Sequence, residues 1–138
     1  MTKDVLVKVS GMQFDMGDEP IELVINGTYY LKNGKHYVLY EEQPEDDDVI
    51  IRNIVKFNDH NFEMIKRGGN NSYLRFEKES QTSTVYQTPV GPIQIDIFAR
   101  DFEFSETDRE ISARIKYTLD INYEFVSECE VTFRVLSR

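Results

Sequence analysis

Tryptophan is absent from this chain, cysteine occurs once and histidine twice, and no apolar run reaches the ~20 residues that a membrane-spanning helix needs. Each shortage removes a class of function. The lone Cys129 has no partner for an internal disulfide, so nothing in the sequence calls for an oxidising compartment; a single thiol on a strand reads as a core or near-core residue. One cysteine with His36 and His60 cannot complete a four-ligand zinc site without carboxylates, so no metal ligands are assigned. Lys3, Asp4, Lys8, Asp15 and Asp18 interrupt the first twenty residues, which therefore read neither as a secretory signal nor as an anchor. The expected location is cytoplasmic, with no membrane partner.

Catalytic signatures are equally sparse. No Gly-x-Ser-x-Gly elbow occurs, and the two histidines, His36 beside a hairpin turn and His60 within a reversal, are both expected to be exposed. Arg67-Gly68-Gly69-Asn70 lacks the spacing of a phosphate loop and a following helix. No catalytic residue and no cofactor is assigned. Sixteen Lys and Arg against twenty-five Asp and Glu give a net charge of −9, which repels phosphate backbones and makes nucleic acid an unsuitable partner. The acidic run Glu41, Glu42, Glu45, Asp46, Asp47 and Asp48, broken by Gln43 and Pro44, lacks the EF-hand pattern and reads as a solvated loop.

What the chain does have is period-2 alternation. Ile111, Ala113, Ile115, Tyr117 and Leu119 alternate with Ser112, Arg114, Lys116, Thr118 and Asp120, and Cys129, Val131, Phe133 and Val135 alternate with Glu128, Glu130, Thr132 and Arg134. Further strands are expected at Val5 to Ser10, Ile21 to Lys32, Lys35 to Glu42, Val49 to Phe57, Asn61 to Arg67, Tyr73 to Lys78 and Ile93 to Phe104. Nothing sustains a helical stripe. Asn33-Gly34 tolerates positive φ at both positions and predicts a type I′ hairpin; Asp15 to Asp18, Asn58-Asp59-His60, Gly68 to Asn71 and Asn122 mark other reversals. At 138 residues, this pattern predicts an all-β fold in one domain, a closed antiparallel up-and-down barrel of about 8–10 strands whose closure removes exposed edges.

Several short elements carry a resemblance. Tyr29-Tyr30-Leu31-Lys32 precedes a tight turn, followed by His36 to Glu42, Ile54-Val55-Lys56, the Arg67-Gly68 turn and Leu74-Arg75-Phe76. Tyr86 with Thr88-Pro89-Val90-Gly91, and Tyr117 to Asp120, complete the set. In these elements the chain resembles the YwiB-like family, bacterial proteins of uncharacterised function described as calycin-like, or lipocalin-like, β-barrels. The resemblance implies a fold and assigns no activity and no site residues.

Eight tyrosines and nine phenylalanines are the remaining functional signal. Tyr29, Tyr37, Tyr117 and Phe133, if they face inward, would line a cavity for a small amphipathic ligand; the plainer alternative is that these rings fill the core. Arg114, Lys116 and Arg134 form a positive stripe whose apolar neighbours Ile115 and Val131 place it outward, in cross-strand ion pairs with Glu128 and Glu130. Three readings stand: a non-enzymatic barrel binding a small amphipathic ligand or a protein partner, an enzyme using inward carboxylates and tyrosines, or a regulatory protein acting through its surface or as a homodimer.

Overall fold

The computed structural model describes residues 1–11, 22–43, 48–68 and 71–138. The expected reversal at Asp15 to Asp18, residues 44–47 of the acidic run and residues 69–70 lie outside them. The described residues form ten strands and no helix: β1 (Asp4–Ser10), β2 (Glu22–Lys32), β3 (Lys35–Glu42), β4 (Ile51–Phe57), β5 (Asn61–Arg67), β6 (Ser72–Glu77), β7 (Gln81–Thr88), β8 (Gly91–Glu106), β9 (Glu110–Ile121) and β10 (Glu124–Ser137). Nine had been expected; the addition is β7. Its Gln-Thr-Ser-Thr sequence hides the alternation, because hydroxyl side chains occupy the inward positions Thr82 and Thr84.

Every ladder is antiparallel and the order is β6-β5-β4-β3-β2-β1-β10-β9-β8-β7. Two meanders, β1 to β6 and β7 to β10, are therefore joined through the pairing of β1 with β10, where Val7 opposes Val135. Between β6 and β7 the ring is nearly but not fully closed. They share the turn at 78–80, and the Thr82 hydroxyl donates to the Arg75 carbonyl, yet no ladder joins them among the described residues.

The local turns follow their residues. Asn33 (φ 52°) and Gly34 (φ 75°) close the β2–β3 hairpin between Lys32 and Lys35, the type I′ geometry that their tolerance of positive φ permits. Asn122 and Tyr123, both at positive φ, close β9–β10 in the same way. Pro89 and Val90 close β7–β8 between the paired Thr88 and Gly91. The Asn58 side chain accepts from the backbone N–H groups of His60 and Asn61 and caps the β4–β5 reversal.

Inward residues alternate along each strand, and in β8 their phase changes. Ile95, Ile97 and Ala99 are buried before a bulge at Arg100, whereas Phe102 is buried after it. One extra residue thus carries the inward set from odd to even positions. At the level of the 78–80 turn the interior is filled by rings packed edge to face: Phe133 lies 5.5 Å from Phe57 and 5.3 Å from Phe62, and Phe76 lies 4.9 Å from Tyr117, between centroids.

Phe133 is fully buried and touches rings from across the barrel. Phe133→Ala is expected to lower stability in urea by about 3–5 kcal/mol. A loss below about 1 kcal/mol would show that the interior closes over the deleted ring.

Candidate functional site

From the 78–80 turn β6 and β7 part, and the space between them holds two adjoining hollows of about 300 and about 120 Å³. Arg75, Glu77, Gln81 and Ser83 border the larger, and Leu74, Tyr86, Ile93, Leu119 and Ile121 the smaller. Tyr73, Thr84 and Ile95 border both. The cleft follows from the inward face of β7, where the short hydroxyl side chains of Thr82 and Thr84 oppose Ile97 and Ile95 and project too little to fill the space toward β6. One end is thus polar, with Arg75 paired to Glu77 at 3.1 Å, and the other apolar.

A second parting lies between β2 and β3. Their ladder stops at Thr28 and Leu39, whereas β2 stays paired to β1 as far as Glu22 and β3 to β4 as far as Glu42. A hollow of about 490 Å³ occupies this gap, bordered by Asn26, Gly27, Leu39, Tyr40, Arg52 and Asn53. Gly27 permits the close approach at its base: a Cβ there would lie 2.9 Å from both the Leu39 carbonyl oxygen and Val7 Cγ2.

At the opposite end a buried polar group lies beneath an open hollow of about 720 Å³ bordered by Lys3, Tyr29, Leu31, Glu106 and Asp108. His36 is only 5% exposed, against the expectation of an exposed ring, because Phe57 and Phe104 pack against it at centroid distances of 5.3 and 5.8 Å. Its Nδ1 lies 2.6 Å from the Tyr29 hydroxyl and its Nε2 lies 3.6 Å from Glu106 Oε2. A carboxylate beside Nε2 favours the proton there, so Nδ1 accepts from the Tyr29 O–H. Burial first, then Glu106, raises the Tyr29 pKa and keeps its hydroxyl protonated, and the group is an internal clamp across β2, β3 and β8.

A family model for a domain of unknown function (DUF1934) matches residues 7–133. The chain belongs to this family. The crystal structure of the ywiB protein from Bacillus subtilis is similar to it at a TM-score of 0.70 and 20% identity, covering 98% of this chain and 90% of that one, which establishes a shared fold. No curated protein matches the chain.

In this DUF1934 chain Tyr29, Tyr117 and Phe133 face inward and are buried, Tyr29 at the His36 clamp and the other two in the ring cluster. Tyr37 does not join them. It lies on the outer face, stacked on Tyr30 at 4.8 Å, with Lys56 Nζ 5.6 Å from its ring centre. Because Tyr30 pairs with Tyr37 across the hairpin, Tyr29 must occupy the other face. The basic stripe points outward as expected, with two changes of partner: Arg114 Nε meets Glu130 at 2.6 Å, but Arg134 Nε meets Glu110 at 2.6 Å and Glu128 pairs with Arg100 at 3.2 Å. Glu41 and Glu42, the first acids of the expected solvated loop, lie in β3 and pair with Arg52 and Lys66. Cys129 is half-buried beside Ser127. His60 is exposed and bonded to Asp59, as its place in a reversal implied.

Sequence reading missed the cleft residues Thr84, Tyr86 and Ile95, the cross-barrel partner Glu106 and the inward Asn53. For Asn53 and His36 a signal existed, since they share phase with Val55 and Val38 respectively.

Burial pulls the His36 pKa below its ordinary 6.5, against the weaker opposing pull of Glu106. As pH falls, the unfolded chain therefore takes up this proton before the folded one. The contribution is whole above about pH 6.5 and is lost as pH drops through the depressed folded value. Thermal melts should show the wild type losing stability from pH 7 to 5 more steeply than His36→Gln. Equal slopes would mean that other groups carry the whole dependence.

Proposed function

We propose that this chain is a non-enzymatic, calycin-like binding barrel that takes a small amphipathic ligand in the cleft between β6 and β7. The observation that carries the reading is the missing β6–β7 ladder, which leaves an apolar hollow floored by Ile95, Leu119 and Leu74 beside a polar one rimmed by Arg75, Gln81 and Ser83. An amphipathic molecule matches both halves, burying its apolar part while its head reaches the polar rim. The proposed location is the cytoplasm: no helix of the described residues is long and apolar enough to cross a membrane, and the one cysteine has no internal partner. Net charge of −9 supports a ligand other than nucleic acid or an anionic membrane surface.

A protein partner or a second copy of the chain is the alternative. It is favoured by Val85, Tyr123 and Phe125, which stand exposed on β7, on β10 and in the turn leading into it. Light scattering that finds only monomer at high concentration would remove the homodimer.

The cleft reading is tested with 1-anilinonaphthalene-8-sulfonate, a fluorescent amphiphile. The wild type is expected to bind one equivalent, and Thr84→Trp, which fills the junction of the two hollows, to weaken binding at least about tenfold, or about 1.4 kcal/mol, with unchanged far-UV circular dichroism. Equal binding by the folded variant would place the probe elsewhere.

A further inference from the structure

On the outer face of the second meander, acidic and apolar side chains share one patch. Asp96 on β8 stands opposite Ser83 on β7 and Asp120 on β9, and Asp120 stands opposite Phe125 on β10, so these four form one cross-strand row. Alternation puts Gln94 and Phe98 on either side of Asp96 along β8, and Val85 next to Ser83 along β7. The Tyr123 hydroxyl donates to Gln94 Oε1 at 2.8 Å, which brings it to the same face. Val85, Phe98, Tyr123 and Phe125 are all exposed, so the two carboxylates lie within a rim of apolar surface.

The two aspartates are held here at a cost. Carboxylates directly opposite each other on neighbouring strands repel, and Asp96 is only 5% exposed, where a charge needs a partner. Glu103, Glu110, Glu128 and Glu130 on the same three strands each meet an arginine, whereas no ion pair reaches Asp96 or Asp120 among the described residues. Asp96 is nevertheless oriented. Its Oδ1 accepts from the Ser83 hydroxyl at 2.5 Å and from Gln94 Nε2 at 3.1 Å, and Tyr123 steadies Gln94 in turn. Both bonds end on Oδ1; Oδ2 accepts none among the described residues and, unlike the Tyr117 hydroxyl, is not sealed from the surface. Asp120 beside it is half-buried.

We propose that this face docks a basic protein segment, with the guanidinium of one arginine seated against Asp96 Oδ2 and Asp120 and with apolar residues on both sides of it covering Val85, Tyr123 and Phe125. Two carboxylates side by side match the planar fork of a guanidinium, which also stacks on aromatic rings. Its charge relieves the repulsion within the row. The net charge of −9 attracts such a segment and disfavours a second copy of this chain. A partner of this kind goes beyond the cleft reading and does not depend on it, because the patch lies on the outer side of β7 and β8.

Val85 on β7 and Phe125 on β10 are three strand spacings apart, about 14 Å, which an extended segment covers in about four residues with every second side chain facing the sheet. The probe is therefore acetyl-Leu-Ser-Arg-Ser-Leu-amide, titrated into the full chain and followed by amide chemical shifts in NMR. Expected is binding with shifts centred on Asp96, Asp120 and Tyr123, at least about tenfold weaker when citrulline replaces the arginine and at least about threefold weaker when lysine does. Asp120→Asn should weaken binding about tenfold or more, while the free variant melts no lower than the wild type because one of two opposed charges is gone. Thr84→Trp, which fills the cleft, should bind the peptide as the wild type does. Absence of binding, equal binding of the citrulline or lysine peptide, or binding kept by Asp120→Asn would each overturn the proposal. So would loss of binding in folded Thr84→Trp, which would place the peptide in the cleft, or a lower melting temperature for Asp120→Asn, which would show that this carboxylate serves the fold.

Discussion

The edge-to-face packing of Phe133 against Phe57 and Phe62, with Phe76 against Tyr117, is the constraint on which the rest of the barrel depends. These contacts join strands β4, β5 and β6 to strands β9 and β10, which lie across the barrel and share no ladder with them. Backbone hydrogen bonds hold each wall together; the rings hold the walls to each other. Where the rings are, β2 pairs with β3, the β6–β7 turn closes and buried side chains fill the interior. Toward the other end the ladders stop, both hairpins splay, and hollows open. The cleft reading therefore follows from where the aromatic side chains run out.

Electrostatics is arranged on the opposite principle, spread over the outside. Arg114 with Glu130, Arg134 with Glu110, Arg100 with Glu128 and Arg52 with Glu41 are surface pairs, which water and salt screen. Three of them join neighbouring strands, and Arg100 with Glu128 reaches from β8 over β9 to β10. Inside, among the described residues, polar groups include the His36–Tyr29 clamp, Asn53 beside Tyr40 and the hydroxyls of Tyr117, Thr82 and Thr84; the buried Asp96 carboxylate lies on the outer side of β8 and accepts from Ser83 and Gln94.

What could be read from the chain beforehand was whatever is local. Asn33-Gly34 specifies its hairpin through two φ angles, and the alternations of β9 and β10 survive intact because both strands are long and regular where they face the core. The phase of β8 was not legible, since the bulge at Arg100 lies within the ladder with β9, next to Ala99, whose carbonyl accepts from Glu79 N–H and whose N–H donates to the Ser80 carbonyl. Burial of His36 was equally hidden, because Phe104 and Glu106, which cover it, come about seventy residues later and from across the barrel. Tyr37 is a different case: the two-residue turn already fixed Tyr30 opposite it, so its outward direction was available from register alone. The site was less legible than the fold because clefts are defined by ladders that end, and a sequence shows strands more readily than the gaps between them.

The pairing of β1 with β10 has a consequence for how the molecule is made. Val5 meets Ser137 and Val9 meets Phe133, so this central ladder can form only after β10, more than a hundred residues after β1, has been made. Until then the first meander must wait with β1 as a bare apolar rim carrying Val5, Val7 and Val9. A fold whose decisive contact is this non-local is expected to assemble slowly. During synthesis, that waiting rim is where mispairing with a neighbouring nascent chain would start.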